Sequence, residues 1–293
     1  MPAEIRTGSA AWTHPHWRGR VYPESLGDHQ LLKHYSTLWD FVEVDSSYYS
    51  VPSLAMAEGW RKKTPPGFVF AMKFPRDFLH PRARLDLDLM YRFFEAARAL
   101  GDKLGPILLQ FSPGVDPRDG REFLPALFDQ LEMDLRYVVE LRETSWFDGE
   151  NLVWLRKELK ERSFALCWSY LTYVEVPPEV TTDFVYARFM GDHETLKEKD
   201  LGELRLDRSD VMDEWAARIK VREDDVSRTF LVFSDQFEGF APESMNRFRV
   251  KVGMPEVDFR GAAGSRAPDR RGPTGRASAS RKAVGPSSAS RSR

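Results

Sequence analysis

The chain has 293 residues, 42% of them hydrophobic and 13% aromatic, enough for one large α/β barrel or two ordinary domains with a sizeable core. A single cysteine, Cys167, excludes an internal disulfide and any CxxC metal or redox motif, which favours a reducing, intracellular setting. The net charge of −2 is unevenly spread: residues 261–293 carry eight basic side chains against Asp269, a net of +7, which leaves −9 on residues 1–260.

The opening MPAEIRTGSA has no apolar signal core, and no stretch approaches the roughly 20 apolar residues of a membrane span. A cytoplasmic protein without membrane contact is therefore expected. Residues 260–293 are rich in Gly, Ala, Ser, Pro and Arg, and Val284 is their only large apolar side chain. Such a segment cannot bury enough surface to offset the entropy of ordering, so it is read as a disordered basic tail. As a partner-binding element it would add salt-sensitive attraction to nucleic acid or another polyanion. Residues 1–259 are then the folded domain.

In chain order, Ile5–Gly8 reads as a first strand, followed by a loop rich in aromatics and histidine, WTHPHWRGRVYPESLG. Asp28 caps a helix whose apolar residues Leu31, Leu32, Tyr35, Leu38 and Trp39 recur at helical spacing. Phe41–Asp45 is a second strand, and its two acids, Glu43 and Asp45, share one face if the strand runs through both. Ser53 is a good N-cap for a helix through Lys63, which Pro65-Pro66-Gly67 ends before a third strand, Phe68–Lys73. A helix over Asp86–Leu100 with Gly101 as its stop precedes a fourth strand, Ile107–Gln110. A helix from about Arg121 to Leu131, a strand Tyr137–Leu141, a helix Asn151–Glu161 and a strand Ala165–Ser169 follow. The segment before strand seven, Phe184–Phe189, holds Pro177-Pro178 and leaves little room for a helix. A helix around Ser209–Arg222, strand eight at Thr229–Phe233 and a last helix with Pro242 in its first turn complete the domain.

Short, mostly apolar strands separated by helices imply parallel pairing through right-handed crossovers, with both faces of the sheet covered. Eight such units match a closed (β/α)8 TIM barrel, with the helix between strands six and seven short or absent. A doubly wound open sheet is the alternative; no GxGxxG follows strand one and no Gly-rich GK[ST] loop occurs, so its nucleotide-binding versions lose support.

In a barrel, working residues sit at the C-terminal ends of the strands and just beyond. His14, His16, His80 and His193 fall there, as do Glu43, Asp45, Lys73, Glu140, Arg142, Arg188 and Asp235. The aromatics Trp12, Tyr48 and Trp146 suit stacking on sugars or bases. Glu43 and Glu140 would supply the two carboxylates of acid/base hydrolysis. Alternatively, Glu43, Lys73, Glu140 and Arg142 form an internal ion-pair layer, because a buried charge needs a partner. Histidines with carboxylates also suit a divalent metal, although His14-Pro15-His16 does not specify one. Cys167, inside the apolar ALCWS, reads as a structural thiol, and no GxSxG elbow supports a serine hydrolase.

The chain resembles the YecE-like family, a bacterial and archaeal domain of unknown function (number seventy-two), over most of residues 5–253. The resemblance rests on TGSAAWTHPHWRGRVYP, FVEVDSSYYSVPS followed by Trp60, GFVFAMKFPRDFLH, GPILLQFSP, YVVELRETSW, FVYARFMG and FAPESM. It implies a TIM barrel and no established reaction. The family's recurring polar positions fall on Trp12, Glu43, Asp45, Tyr48, Lys73, His80, Gln110, Glu140, Arg142, Trp146, Arg188 and Gly191. Where relatives carry Phe-Asn-Asn after the last strand, this chain reads Phe233-Ser234-Asp235, which removes amide donors and adds an acid.

Two functions are carried forward. The first is a hydrolase for a phosphate- or sugar-containing substrate, with Glu43 or Asp45 as general base or metal ligand. Glu140 supplies the second acid, Lys73 with Arg142 or Arg188 clamps an anion, and His80 shuttles protons. Trp12, His14, Tyr48, Gln110, Trp146 and Asp235 then contact the substrate. The second is a non-catalytic protein that binds nucleic acid or a nucleotide-like ligand, which the −9 of residues 1–260 disfavours as broad surface binding.

Overall fold

A computed structural model describes residues 3–191 and 194–264. Eight parallel strands form the barrel: β1 (Glu4–Ser9), β2 (Phe41–Val44), β3 (Val69–Lys73), β4 (Leu104–Gln110), β5 (Tyr137–Glu140), β6 (Ala165–Leu171), β8 (Phe184–Phe189) and β9 (Arg228–Phe233). The ladder runs β1-β9-β8-β6-β5-β4-β3-β2. The short β7 (Val174–Glu175) folds back antiparallel on β6 as a hairpin. This hairpin and a coil replace the helix at the position where the proline pair argued against one. Helices α1 (Leu31–Leu38), α2 (Leu54–Lys63), α3 (Leu87–Ala99), α4 (Pro117–Phe128), α5 (Gly149–Arg162), α6 (Ser209–Val221) and α8 (Ala241–Lys251) cover the outside, with short α7 (Asp235–Glu238) and α9 (Phe259–Ala262) near the end.

The helix starts follow local chemistry. Ser53 accepts from the Met56 N–H and Asp86 from the Leu89 N–H, as expected of N-caps. The helix expected from Arg121 begins four residues earlier, because Asp116 caps it and Pro117 supplies a preset first turn. Likewise, Asp28 opens a 3-10 turn (Asp28–Gln30) ahead of α1 instead of capping the helix itself.

Alternation along the strands sorts side chains into two cores. Phe41, Ala71, Leu108, Val138, Ala165, Cys167, Phe184, Tyr186, Phe230 and Val232 fill the barrel interior. Their neighbours, such as Val42, Phe70, Leu109, Val139, Leu166 and Leu231, pack outward against the helices. One step further up each inward row the residues turn polar: Glu43, Lys73, Gln110, Glu140, Ser169 and Arg188. Register places Gln110 opposite Glu140 and Ser169 opposite Arg188, so these groups lie level with one another.

No ladder joins β1 to β2; this seam is closed by side chains. The Tyr35 hydroxyl accepts from the Ser9 N–H (3.0 Å) and donates to the Phe41 carbonyl (2.9 Å). Below it, Arg6 reaches across to the Asp40 carboxylate (3.1 Å) and the Gly67 carbonyl (2.7 Å). Gly8 is required here, because a Cβ at that position would lie 2.2 Å from the Phe41 carbonyl oxygen.

Candidate functional site

The polar layer closes the top of the barrel interior. The Arg188 guanidinium holds both acids: Nη2 to Glu43 Oε1 at 2.8 Å and Nη1 to Glu140 Oε2 at 2.5 Å, with Gln110 Oε1 at 3.1 Å. Tyr186 donates to the second Glu43 oxygen at 2.8 Å, and Ser169 to the second Glu140 oxygen at 2.9 Å. Glu43 and Glu140 are fully buried and Arg188 is 2% exposed. Burial alone would raise the Glu140 carboxyl, but the Arg142 and Arg188 guanidiniums, the Ser169 hydroxyl and Lys73 outweigh it and hold it at about 2.

This depressed value has a pH consequence. A carboxyl whose folded value lies below its ordinary 4.5 contributes stability that is complete above that pH and is lost as pH falls toward 2. Urea midpoints of the wild type should therefore fall between pH 4.5 and 2, whereas Glu140→Gln should show a flatter acid limb over the same window. Parallel acid limbs would place the loss elsewhere.

Above this layer a cavity of about 900 Å³ opens at the C-terminal mouth. Lys73, Gln110, Arg142 and Arg188 form its floor on one side, with Asp45 and His14 among the other lining residues. The β6–β7 hairpin contributes Thr172 and Tyr173, and the segment after β9 contributes Ser234 and Gln236. Lys73 is buried and bonded to Asp45 Oδ1 at 2.6 Å, over the Tyr48 ring at 4.2 Å. Burial, then the nearby Arg188 charge, lower its pKa against the pull of Asp45 and Glu43. Arg142 touches Glu140 at 3.3 Å, and its buried Nε has no partner. It therefore keeps most of its donors uncommitted. Gly191 also lines the cavity in a left-handed conformation (φ +67°), and a Cβ there would lie 2.1 Å from the Gln236 carbonyl oxygen.

A second cluster lies behind the cavity wall: His14 lines the cavity, whereas Asp235, expected to contact the substrate, is 1% exposed and does not. Asp235 Oδ2 meets His16 Nε2 at 2.6 Å and His14 Nδ1 at 3.2 Å. Its other oxygen accepts from the Ala241 N–H at 2.7 Å, and the Trp17 indole N–H is shared between the two oxygens at 3.3 and 3.2 Å. Burial would raise the Asp235 carboxyl, but the His16 hydrogen bond, then His14 and the Ala241 N–H, bring it below the usual range. His14 is lowered, chiefly by burial.

Among the expected site residues, the structure brings Asp45, Lys73, Gln110, Arg142, Arg188 and His14 to one cavity. Glu43 and Glu140 lie beneath it in an internal ion-pair layer, but the guanidinium they share is that of Arg188; of the cations expected there, Arg142 gives Glu140 a 3.3 Å contact and Lys73 pairs with Asp45. Neither acid is placed to flank a sugar, so the two-carboxylate scheme has no geometric support. β2 ends at Val44, and Asp45 begins a 3-10 turn (Asp45–Tyr48), so the two acids do not share a strand face; Asp45 turns toward the mouth while Glu43 stays inside. His80 is exposed, accepts from the Arg82 N–H and lies outside the cavity. Trp146 is buried, donating to the Val115 carbonyl under Gly120, and Trp12 packs edge-on against Trp60 and Phe70; both brace the barrel. Cys167 is buried, as read from its strand. His193 and the tail from residue 265 onward lie outside the described residues. Tyr186, Ser169 and Arg208 (stacked on Tyr170) carried no sequence signal beyond lying in or after strands.

A family profile described as "Protein of unknown function DUF72" matches residues 6–269. The chain belongs to the DUF72 family. This DUF72 protein is 31% identical over 163 residues to "UPF0759 protein YecE" of Escherichia coli, a match covering 54% of this chain and 56% of YecE. It is 28% identical over 135 residues to "UPF0759 protein YunF" of Bacillus subtilis, covering 43% and 48% of the two chains. The chain thus spans about half the length of the curated relatives it matches. Two crystal structures of DUF72 family proteins share the fold. The one from Thermotoga maritima has a TM-score of 0.72 at 23% identity, covering 84% of this chain and 98% of that one. The one from Enterococcus faecalis has a TM-score of 0.70 at 21% identity, covering 86% and 98%. Both support the TIM-barrel reading of this DUF72 protein. No helix among its described residues is long and apolar enough to cross a membrane.

Proposed function

We propose that the barrel mouth binds a small phosphate ester and hydrolyses it. The observation that carries this reading is the under-committed Arg142, which faces a cavity of about 900 Å³ beside Lys73 and Gln110. The lining holds three cations, Lys73, Arg142 and Arg188; Asp45 pairs with Lys73 and the buried Glu43 and Glu140 pair with Arg188, so Arg142 is the one of the three without a short ion pair. One under-committed guanidinium at the mouth suits a small anion better than a long polyanion, which the −9 of residues 1–260 would repel.

Of the four acids expected at the strand ends, Asp45 is the one that reaches solvent, at 39% exposure. In this reading Arg142 and Gln110 hold the phosphoryl oxygens. Asp45 takes a proton from water as the water oxygen bonds to phosphorus and the ester P–O bond breaks. The leaving alcohol takes its proton from the Lys73 ammonium, which recovers one from Asp45 through their 2.6 Å hydrogen bond.

Calorimetric binding of a panel of phosphate monoesters and nucleotides tests the first step. Arg142→Ala should weaken the best binder by roughly 10–100-fold, the worth of one charge-assisted hydrogen bond. Asp45→Asn should keep affinity and lose phosphate release by about 100-fold or more. Absence of binding by every phosphate compound in the wild type would sink this reading.

A further inference from the structure

We propose that His14, His16 and Asp235 form a binding site for a divalent transition-metal ion of the zinc class behind the wall of the barrel mouth. One nitrogen from each ring and one Asp235 oxygen lie within 4.8 Å of one another. Two nitrogens and one carboxylate oxygen are the donor set that borderline ions such as Zn²⁺ take, commonly with a fourth position left for water or substrate. Ligands about 2.1 Å from a tetrahedral ion stand roughly 3.3–3.4 Å apart. The His14–Asp235 separation of 3.2 Å is already close to this, and the His16–Asp235 separation of 2.6 Å needs to open by less than an ångström.

The surroundings are those of a held site. Asp235 is 1% exposed; the Ala241 N–H fixes its Oδ1 and the Trp17 indole N–H straddles both oxygens, at 3.3 and 3.2 Å, which orients the carboxylate with Oδ2 toward the two rings. Hydrogen bonds of this outer kind orient metal-ligating carboxylates. Trp17 also stacks on His14, with ring centroids 4.5 Å apart, which sets the plane of that imidazole. Without an ion, two imidazoles compete for a single carboxylate oxygen. The bland alternative is a hydrogen-bonded brace that pins the 14–17 loop to the start of α7. His14 lines the mouth between the β1 loop and the Ser234–Gln236 segment, so the ion would sit just behind the cavity wall. The site stands whether or not the mouth takes a phosphate ester.

The test uses the full chain freed of metal by a chelator, then titrated with Co²⁺ and with Zn²⁺ in competition. The wild type should take up a single equivalent with visible d–d absorption of a four- or five-coordinate ion, and Zn²⁺ should displace it. His16→Ala and Asp235→Asn should bind at least about 100-fold more weakly, beyond the loss usual for outer-shell changes. His80→Ala, at an exposed histidine outside the cluster, should bind like the wild type. No stoichiometric Co²⁺ signal in the wild type overturns the proposal without recourse to any variant. So does wild-type affinity in both folded cluster variants, with circular dichroism checking the fold and His16→Gln replacing a variant that fails it. Arg142→Ala should bind Co²⁺ normally, so loss of phosphate binding and loss of metal binding report on separate readings.

Discussion

Arg188→Met is expected to destabilise the barrel by about 3–5 kcal/mol, the cost of leaving buried carboxylates without their partner. Glu43 and Glu140 each lose a short contact to the guanidinium, at 2.8 and 2.5 Å, inside a layer from which water is excluded. Arg142 offers Glu140 only a 3.3 Å contact, and Lys73 is already committed to Asp45. One acid would therefore have to take up a proton to stay inside. Urea unfolding at constant m measures this as a lower midpoint. A further variant separates structure from function. Replacing Glu43 and Glu140 with leucine together with Arg188→Met removes every charge of the triad, and apolar replacements of buried ion pairs are often neutral or stabilising. Recovered stability with lost phosphate binding would assign the triad to positioning Arg142 and Gln110 beneath the ligand. An unchanged midpoint in Arg188→Met alone would refute the buried-pair account.

Tyr35→Phe is expected to cost about 2–4 kcal/mol through the seam between β1 and β2. The hydroxyl serves as the missing rung of the ladder, bonded to the Ser9 N–H and the Phe41 carbonyl. Its loss leaves a buried donor and a buried acceptor unpaired, each worth roughly 1–3 kcal/mol, while the ring itself remains packed. Native-state hydrogen exchange gives a sharper reading than a melting curve. The Ser9 amide should lose protection by roughly 30- to 900-fold, the equivalent of that cost, and by more than amides of the β4–β5 ladder. Uniform loss across the barrel would mean that the tyrosine stabilises the whole fold with no special hold on the seam.

The barrel was legible because its signals are local. Alternation in FVEV, FAMK, YVVEL and FVYARF marks which side chains enter the interior, and Ser53, Asp86 and Pro242 mark helix starts through their own backbone contacts. The same alternation shows why the inward rows end in Glu43, Lys73, Gln110, Glu140 and Arg188, since each lies two residues beyond an apolar inward neighbour. Where a strand stops is less legible: Asp45 reads as the next inward residue, but the chain turns there, and the turn is what takes it to the mouth.

Partnership between these residues came only from tertiary structure. Arg188 meets Glu43 across 145 positions and His16 meets Asp235 across 219. Strand order and register around a closed barrel set such pairs, and no local pattern encodes them. His80, Trp12 and Trp146 illustrate the converse. Their positions near strand ends satisfied every local criterion, yet loop packing turns His80 outward and draws the two indoles into the braces beneath the loops. The sequence by itself determined the strands, their inward faces and the polar ends of those faces, because these follow from backbone period and side-chain solvation. Closure of the barrel decided which charges neutralise each other and which groups, like Arg142 and His14, still face the mouth.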